Sequence, residues 1–119
     1  EELLRDYKRD HPAWSDELVL HMAEAKKQLD VTIFDKLTIK LFSNDYSWKT
    51  TLQDVKQQAL LFIADQTKGA VVSKEAAAKA KELKPDLNIV YVPDAGHLIR
   101  FDALSIFMKE LKAFLAQLS

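Results

Sequence analysis

The sequence of 119 residues contains no cysteine and only two glycines and three prolines. Without thiols the chain forms no disulfide, and it has neither a thiolate metal ligand nor a cysteine nucleophile. The three histidines, His11, His21 and His97, lie too far apart in the sequence for a local metal motif. We therefore expect no metal and no cofactor.

The sequence also lacks an excess of either charge, since 17 basic and 18 acidic residues give a formal net charge of −1. This balance gives no electrostatic reason to expect nucleic acid or an anionic membrane surface as a partner. No apolar run approaches the length of a membrane span, and residues 1–6 do not resemble a secretory signal. These absences predict a cytoplasmic globular protein.

Two nearly continuous apolar runs, Ala59–Ala64 and Ile89–Val92, are typical of strands buried on both faces of a parallel sheet. Between them, Ser73–Leu83 has the pattern of a helix, and a further helix follows the second run. Strand, helix, strand, helix predicts an α/β unit with parallel strands and a right-handed crossover, whose strand ends share one edge. Asp65 follows the first run and His97 follows the second, so the two side chains are predicted to lie close together.

A carboxylate next to an imidazole fixes the ring tautomer and stabilises its protonated form, as a general base that activates a nucleophile requires. Asp65 and His97 are therefore the candidate catalytic residues. A structural alternative stays open from spacing alone: Asp65 caps the strand or turns the chain, and His97 is an ordinary surface histidine.

The first half of the chain is predicted to be mostly helical. Ser15 is a suitable N-cap for a helix over Asp16–Leu29, with acids in its first turn. The residue before Pro12 is driven out of the α region, which ends an earlier helix over Glu2–Arg9. The apolar positions of Val31–Trp48 fit both a helical and an alternating pattern, and we interpret the segment as mainly helical with a turn at Ser43–Asp45. A short helix is expected at Thr50–Lys56.

The closing helix, about Asp102–Leu118, carries apolar residues on one broad stripe. They are Leu104, Phe107, Met108, Leu111, Phe114, Leu115 and Leu118. Such a stripe indicates a surface that faces the core or, less often, a helix that binds in a groove.

Three segments together carry a family resemblance: Ala64-Asp65, the helix opening at Gly69–Glu75, and Val92–Phe101 with its Pro-Asp-Ala-Gly-His sequence. Over about Val55–Ser119 the chain resembles the C-terminal part of an α/β-hydrolase. The resemblance implies that His97 is the catalytic histidine and Asp65 the acid of a triad, in an esterase-like enzyme. It also implies a helical cap-like region at 1–54 and a βαβα core portion at 55–119.

Two departures from the family pattern are visible. Asp65 lies closer to the strand than the acid of many members. Neither Gly69 nor Gly96 flanks a serine two residues away, so the G-x-S-x-G nucleophile elbow is absent from these 119 residues.

Two parallel strands alone have open edges and too little area to bury both faces. The sequence therefore predicts that further strands come from a partner: the N-terminal half of the fold, a second copy of the chain, or the rest of a longer protein. Three functions follow as hypotheses. The first is part of a hydrolase acting on a small ester or related acyl substrate and inactive alone. The second is a non-catalytic ligand-binding protein, and the third is a self-associating helical module.

Overall fold

The computed structural model describes residues 1–34 and 47–118. The chain divides into two compact units, Glu1–Ser47 and Trp48–Ser119. The predicted turn at Ser43–Asp45 and most of the predicted helical segment Val31–Trp48 lie outside the described residues. The proposed division at residues 54 and 55, into cap-like and core regions, stays a prediction.

The first unit contains helices α1 (Glu2–Asp10) and α2 (Asp16–Lys27), which pack against each other. As predicted, Ser15 caps α2, accepting a hydrogen bond from the Leu18 amide at 3.2 Å. Trp14 between the helices is 2% exposed and stacks on His11, with ring centroids 3.9 Å apart. The Lys8 ammonium donates a hydrogen bond to the Trp14 carbonyl at 2.7 Å, so it links α1 to the segment between the two helices.

The second unit alternates strands and helices, as predicted. Its elements, in order, are α3 (Trp48–Asp54), β1 (Leu60–Ala64), α4 (Lys74–Leu83), β2 (Asn88–Val92), α5 (Ile99–Asp102) and α6 (Leu104–Gln117). The strands pair in parallel from Leu60 opposite Asn88 to Ala64 opposite Val92. Ser73 caps α4, accepting from the Ala76 amide at 3.0 Å. The α/β fold class with two parallel strands and flanking helices is therefore confirmed.

The core of this unit lies at the carboxyl ends of its strands. Ala64, Val92 and Ala95 form the buried cluster. The partly buried residues packed on it are Phe62, Ala70, Val90, Ile99 and Ala103. The first positions of both strands are less buried, and Tyr91 is 41% exposed, so the predicted burial of both sheet faces is not reached in this chain. The physical reason is the small area of a two-stranded sheet.

The closing helix α6 begins at Leu104, slightly after its predicted start near Asp102, and its apolar stripe is only partly buried. Ala103, with φ −141° and ψ 54°, leaves the helical region and separates α5 from α6. Of the apolar stripe on α6, Phe107, Leu111 and Phe114 are half-buried, and Phe107 contacts the Phe62 ring with centroids 4.9 Å apart. The remaining stripe residues are exposed: Leu104, Met108, Leu115 and Leu118. The helix therefore faces the core with only part of its apolar surface.

Among residues 1–34 and 47–118, no helix has the length and apolarity needed to cross a membrane.

Candidate functional site

The register of the sheet brings the two candidate loops together. Ala64 and Val92 are the last paired residues of their strands, so the following loops leave from the same sheet edge. The Asp65 amide then donates a hydrogen bond to the Ala95 carbonyl at 3.0 Å. This bond joins the backbone of one candidate residue to the loop that carries the other, His97, two residues later.

The loop after β1 holds its own acid. The Asp65 carboxylate accepts from the Thr67 hydroxyl at 2.7 Å and from the Thr67 amide at 2.9 Å, and begins a 3₁₀ turn at Gln66–Lys68. These two hydrogen bonds, first that from the hydroxyl, hold the pKa of Asp65 below its ordinary value. Gly69, with φ +88°, ends the turn in the left-handed region that glycine adopts at low cost.

The loop after β2 is held by its backbone. Ala95 and Gly96 are buried, and a Cβ at position 96 would clash with the Lys68 carbonyl oxygen. The Gly96 amide donates to the Asp102 carboxylate at 2.8 Å. An exposed ion pair between Lys68 and Asp94, 3.5 Å apart, adds a contact between the two loops. Because the Lys68 carbonyl oxygen leaves no room for a Cβ at position 96, glycine is required directly before the histidine.

His97 follows this buried pair of residues and is itself exposed. Its imidazole makes no hydrogen bond or ion pair with any residue in the described ranges 1–34 and 47–118. The Leu98 carbonyl next to it accepts from the amides of Phe101 and Asp102, at 2.8 and 3.0 Å, and opens α5. The ring therefore stands on a well-anchored backbone with both nitrogens available to another group.

The structure brings the loops of the predicted pair together but does not join their side chains. The Asp65 carboxylate is bonded to Thr67, and no hydrogen bond links it to the His97 ring in this part of the chain. The catalytic roles of both residues thus stay predictions. Sequence reasoning missed Asp102, which it assigned only to the start of the closing helix. The signal that could have revealed this contact is an acidic residue shortly after the Gly-His pair, close enough in the chain for its side chain to accept from the loop amides.

No group of three or more histidine or carboxylate side chains that could hold a metal ion occurs within the described ranges. The arrangement offers an accessible imidazole in the loop after one strand and a carboxylate at the end of the neighbouring strand. That combination suits proton transfer to and from a group supplied from outside these two loops.

No protein-family model matches the sequence. Over 104 residues the chain is 33% identical to N-formylmaleamate deformylase of Pseudomonas putida, an alignment that includes 86% of this chain and 37% of that protein. The chain therefore spans well under half the length of this curated relative.

Two solved structures share the fold. E-2-(acetamidomethylene)succinate hydrolase matches 96% of this chain with a TM-score of 0.72 at 20% identity, and 44% of that chain is covered. A variant of the N-formylmaleamic acid deformylase from Pseudomonas putida matches 91% of this chain with a TM-score of 0.67 at 24% identity, with 41% of that chain covered. At these identities the two structures show the fold alone.

Proposed function

We propose that this chain, which belongs to the α/β-hydrolase superfamily and corresponds to a C-terminal portion of that fold, supplies the catalytic histidine of a hydrolase for small acyl substrates. His97 would be the general base and Asp65 the residue that orients it. The similar proteins are named for an N-formyl and an acetamido compound. A small ester or a related acyl compound, such as an N-acyl amide, is therefore the substrate class we propose.

One observation carries the proposal: an exposed imidazole without a partner in the described chain stands on a rigidly held loop at the carboxyl edge of a parallel sheet. Most side chains with a fixed position are held by burial in a core, but the His97 side chain is exposed and is not held in this way. Its backbone is fixed instead, by the hydrogen bonds of Asp65 to Ala95 and of Gly96 to Asp102. A rigid backbone that leaves the ring nitrogens accessible suits a catalytic histidine, whose ring Asp65 would then orient.

In the proposed mechanism His97 accepts the proton of a nucleophile as that nucleophile attacks the acyl carbon. The imidazolium then gives the proton to the leaving group when the tetrahedral intermediate collapses. Asp65 would stabilise the imidazolium through its Oδ2 atom, since both hydrogen bonds from Thr67 go to Oδ1. The nucleophile and the oxyanion hole would come from another part of the fold.

The partner that fits this requirement best is the N-terminal half of the fold. A second copy of the chain could pair with open strand edges, but it has the same two glycines and so brings no G-x-S-x-G elbow. On this proposal the 119-residue chain alone hydrolyses nothing.

The experiment is an assay of the chain alone, and of the chain joined to an N-terminal half with the elbow, using an activated ester and an N-formyl amide. We expect hydrolysis only by the joined protein, and His97→Ala should lower its kcat by about 10³-fold or more. His21→Ala, which removes an exposed histidine from α2, is the matched control and should change nothing. His97-dependent turnover by the chain alone contradicts the proposal.

Asp65→Asn tests the second role separately. If Asp65 orients His97, this variant of the joined protein should lose activity by about 10³-fold or more while its stability changes little. If Asp65 only caps the 3₁₀ turn, the variant should lose some stability and keep most of its kcat. The second outcome removes Asp65 from the proposed mechanism and leaves His97 in it.

A second function is favoured by the exposed apolar residues of α6. Leu104, Met108, Leu115 and Leu118, which helical spacing places on one face, are 59%, 37%, 50% and 48% exposed, and a contiguous apolar face of this kind marks an interaction surface. A self-associating, non-catalytic protein would cover this face with a second copy. Sedimentation of the isolated chain distinguishes the two: a discrete dimer that persists at low concentration, together with an inactive joined protein, favours self-association.

A further inference from the structure

The residue directly before His97 depends on a side chain from the next helix. Gly96 is buried, and its amide donates to the Asp102 carboxylate at 2.8 Å. Asp102 is the last residue of α5 and is only partly exposed. A buried amide needs an acceptor, and an ionised carboxylate makes a stronger hydrogen bond than a neutral carbonyl.

The other side of the same glycine is closed by the loop after β1. The Lys68 carbonyl oxygen lies too close to leave room for a Cβ on residue 96. The Asp65 amide donates to the Ala95 carbonyl oxygen at 3.0 Å. The backbone before His97 is therefore fixed between the β1 loop and Asp102. If the Asp102 carboxylate were removed, the backbone at Gly96 would be held only on the side of the β1 loop.

The backbone after His97 is tied to the same aspartate. The Asp102 amide donates to the Leu98 carbonyl at 3.0 Å, while its carboxylate accepts from Gly96. One residue thus bonds to both chain neighbours of His97. The imidazole has no hydrogen bond of its own within the described ranges, so these backbone bonds fix the point from which its side chain leaves the chain.

We propose that Asp102 is the positioning residue for His97: its backbone and side chain together fix the segment Gly96–Leu98 and so aim the imidazole. This inference deepens the proposed function and rests on it for the catalytic role of His97. Asp102 would touch neither substrate nor reacting atoms. Its contribution would be to keep the ring in one place without the cost of ordering it during each turnover.

The test uses amide hydrogen exchange and histidine ring spectra by NMR on the 119-residue chain. Asp102→Ala should speed exchange of the Gly96 amide by about tenfold or more relative to the Ala64 amide, because a buried donor loses its acceptor. Asp102→Asn, which keeps a neutral acceptor, should show a smaller rise, about threefold. The His97 ring signals should broaden or shift in the order Asn, then Ala.

Asp94→Asn and Asp94→Ala are the matched controls, since Asp94 is an exposed acid on the same loop and its ion pair with Lys68 is exposed and therefore weak. They should leave Gly96 exchange unchanged. Equal acceleration at Ala64 and Gly96 in Asp102→Ala would mean global loss of stability and would overturn the positioning role. If Asp102→Ala does not fold, Asp102→Asn decides, and an unchanged Gly96 exchange rate overturns the proposal.

Activity of the joined protein separates this inference from the proposed function. With a positioning role, Asp102→Ala lowers kcat with little change in KM, and Asp102→Asn restores part of it. If the joined protein is inactive but Gly96 exchange responds as expected, the proposed function fails while the structural role of Asp102 stands. If activity depends on His97 but is indifferent to both Asp102 variants, the inference fails while the proposed function stands.

Discussion

The two loops at the carboxyl edge of the sheet follow strands of similar pattern but use their polar residues in opposite ways. In the loop after β1 the side chain of Asp65 is bonded within its own turn, to Thr67. In the loop after β2 the backbone is bonded on two sides, and the side chain of His97 has no such bond to the described residues. A polar residue at a strand end is therefore a functional candidate when the loop holds its backbone and leaves its side chain without a hydrogen bond.

The largest expected effect concerns Gly96→Ala, which tests how tightly the β2 loop is held. A methyl group would meet the Lys68 carbonyl oxygen, a backbone atom that cannot move without shifting the 3₁₀ turn. We expect the free energy of unfolding to fall by about 1–3 kcal/mol, the usual cost of overpacking. Urea denaturation followed by circular dichroism measures it, and a loss below a few tenths of a kcal/mol would mean that the loops are not in contact.

A smaller effect is expected for Gly69→Ala in the other loop. Nothing lies within 4 Å of a Cβ at this position, so only the φ of +88° opposes the substitution. The expected loss is about 1–2 kcal/mol, the cost of a left-handed conformation for an ordinary residue. Gly69→Asn is the control, since asparagine tolerates this region better and should lose less. Equal losses for alanine and asparagine would indicate a cause other than backbone conformation.

The smallest effect is expected for Thr67→Val, which removes the hydroxyl bond to Asp65 and keeps the amide bond. The pKa of Asp65 should rise toward its ordinary value of 3.8. Because the folded pKa is depressed, this carboxylate stabilises the fold above the unfolded pKa, and the gain is lost as the pH falls through the folded pKa. The variant should therefore lose less stability than the parent on acidification.

A titration of the Asp65 carboxyl carbon by NMR, together with urea denaturation at neutral and acidic pH, checks this prediction. An unchanged pKa in Thr67→Val would show that the hydroxyl bond does not engage the carboxylate in solution. That result would leave the Thr67 amide as the group that holds the Asp65 carboxylate in its loop.

Local signals in the sequence were sufficient for most of the secondary structure. Ser15 and Ser73 each cap the helix that the pattern assigned to them, because a hydroxyl, an amide three residues later and the helix start are neighbours in the chain. The two strands were equally predictable, since a short apolar run bounded by polar residues can be recognised from neighbouring residues alone. The parallel pairing followed from the helix between them.

The closing helix shows where local signals fail. The apolar stripe lies on one continuous helix, as predicted, but the separate short helix α5 and the break at Ala103 were not predicted, and nothing in the identity of an alanine indicates such a break. The break lets Asp102 end α5 while its side chain reaches back to Gly96. The degree to which the strands and α6 are buried could not be predicted from local sequence either, because it depends on how much surface the rest of the chain packs against them.

The α/β class, the helix caps, the two strand ends and the absence of a nucleophile elbow from these 119 residues could all be predicted, because each depends on residues adjacent in the chain. Which polar groups already have hydrogen-bond partners became visible only in the folded chain. Thr67 engages Asp65, Asp102 engages Gly96, and the His97 ring has no hydrogen bond within the described part of the chain. Hydrogen-bond partners depend on ångström-scale distances, whereas spacing along the chain specifies only which strand end a residue follows.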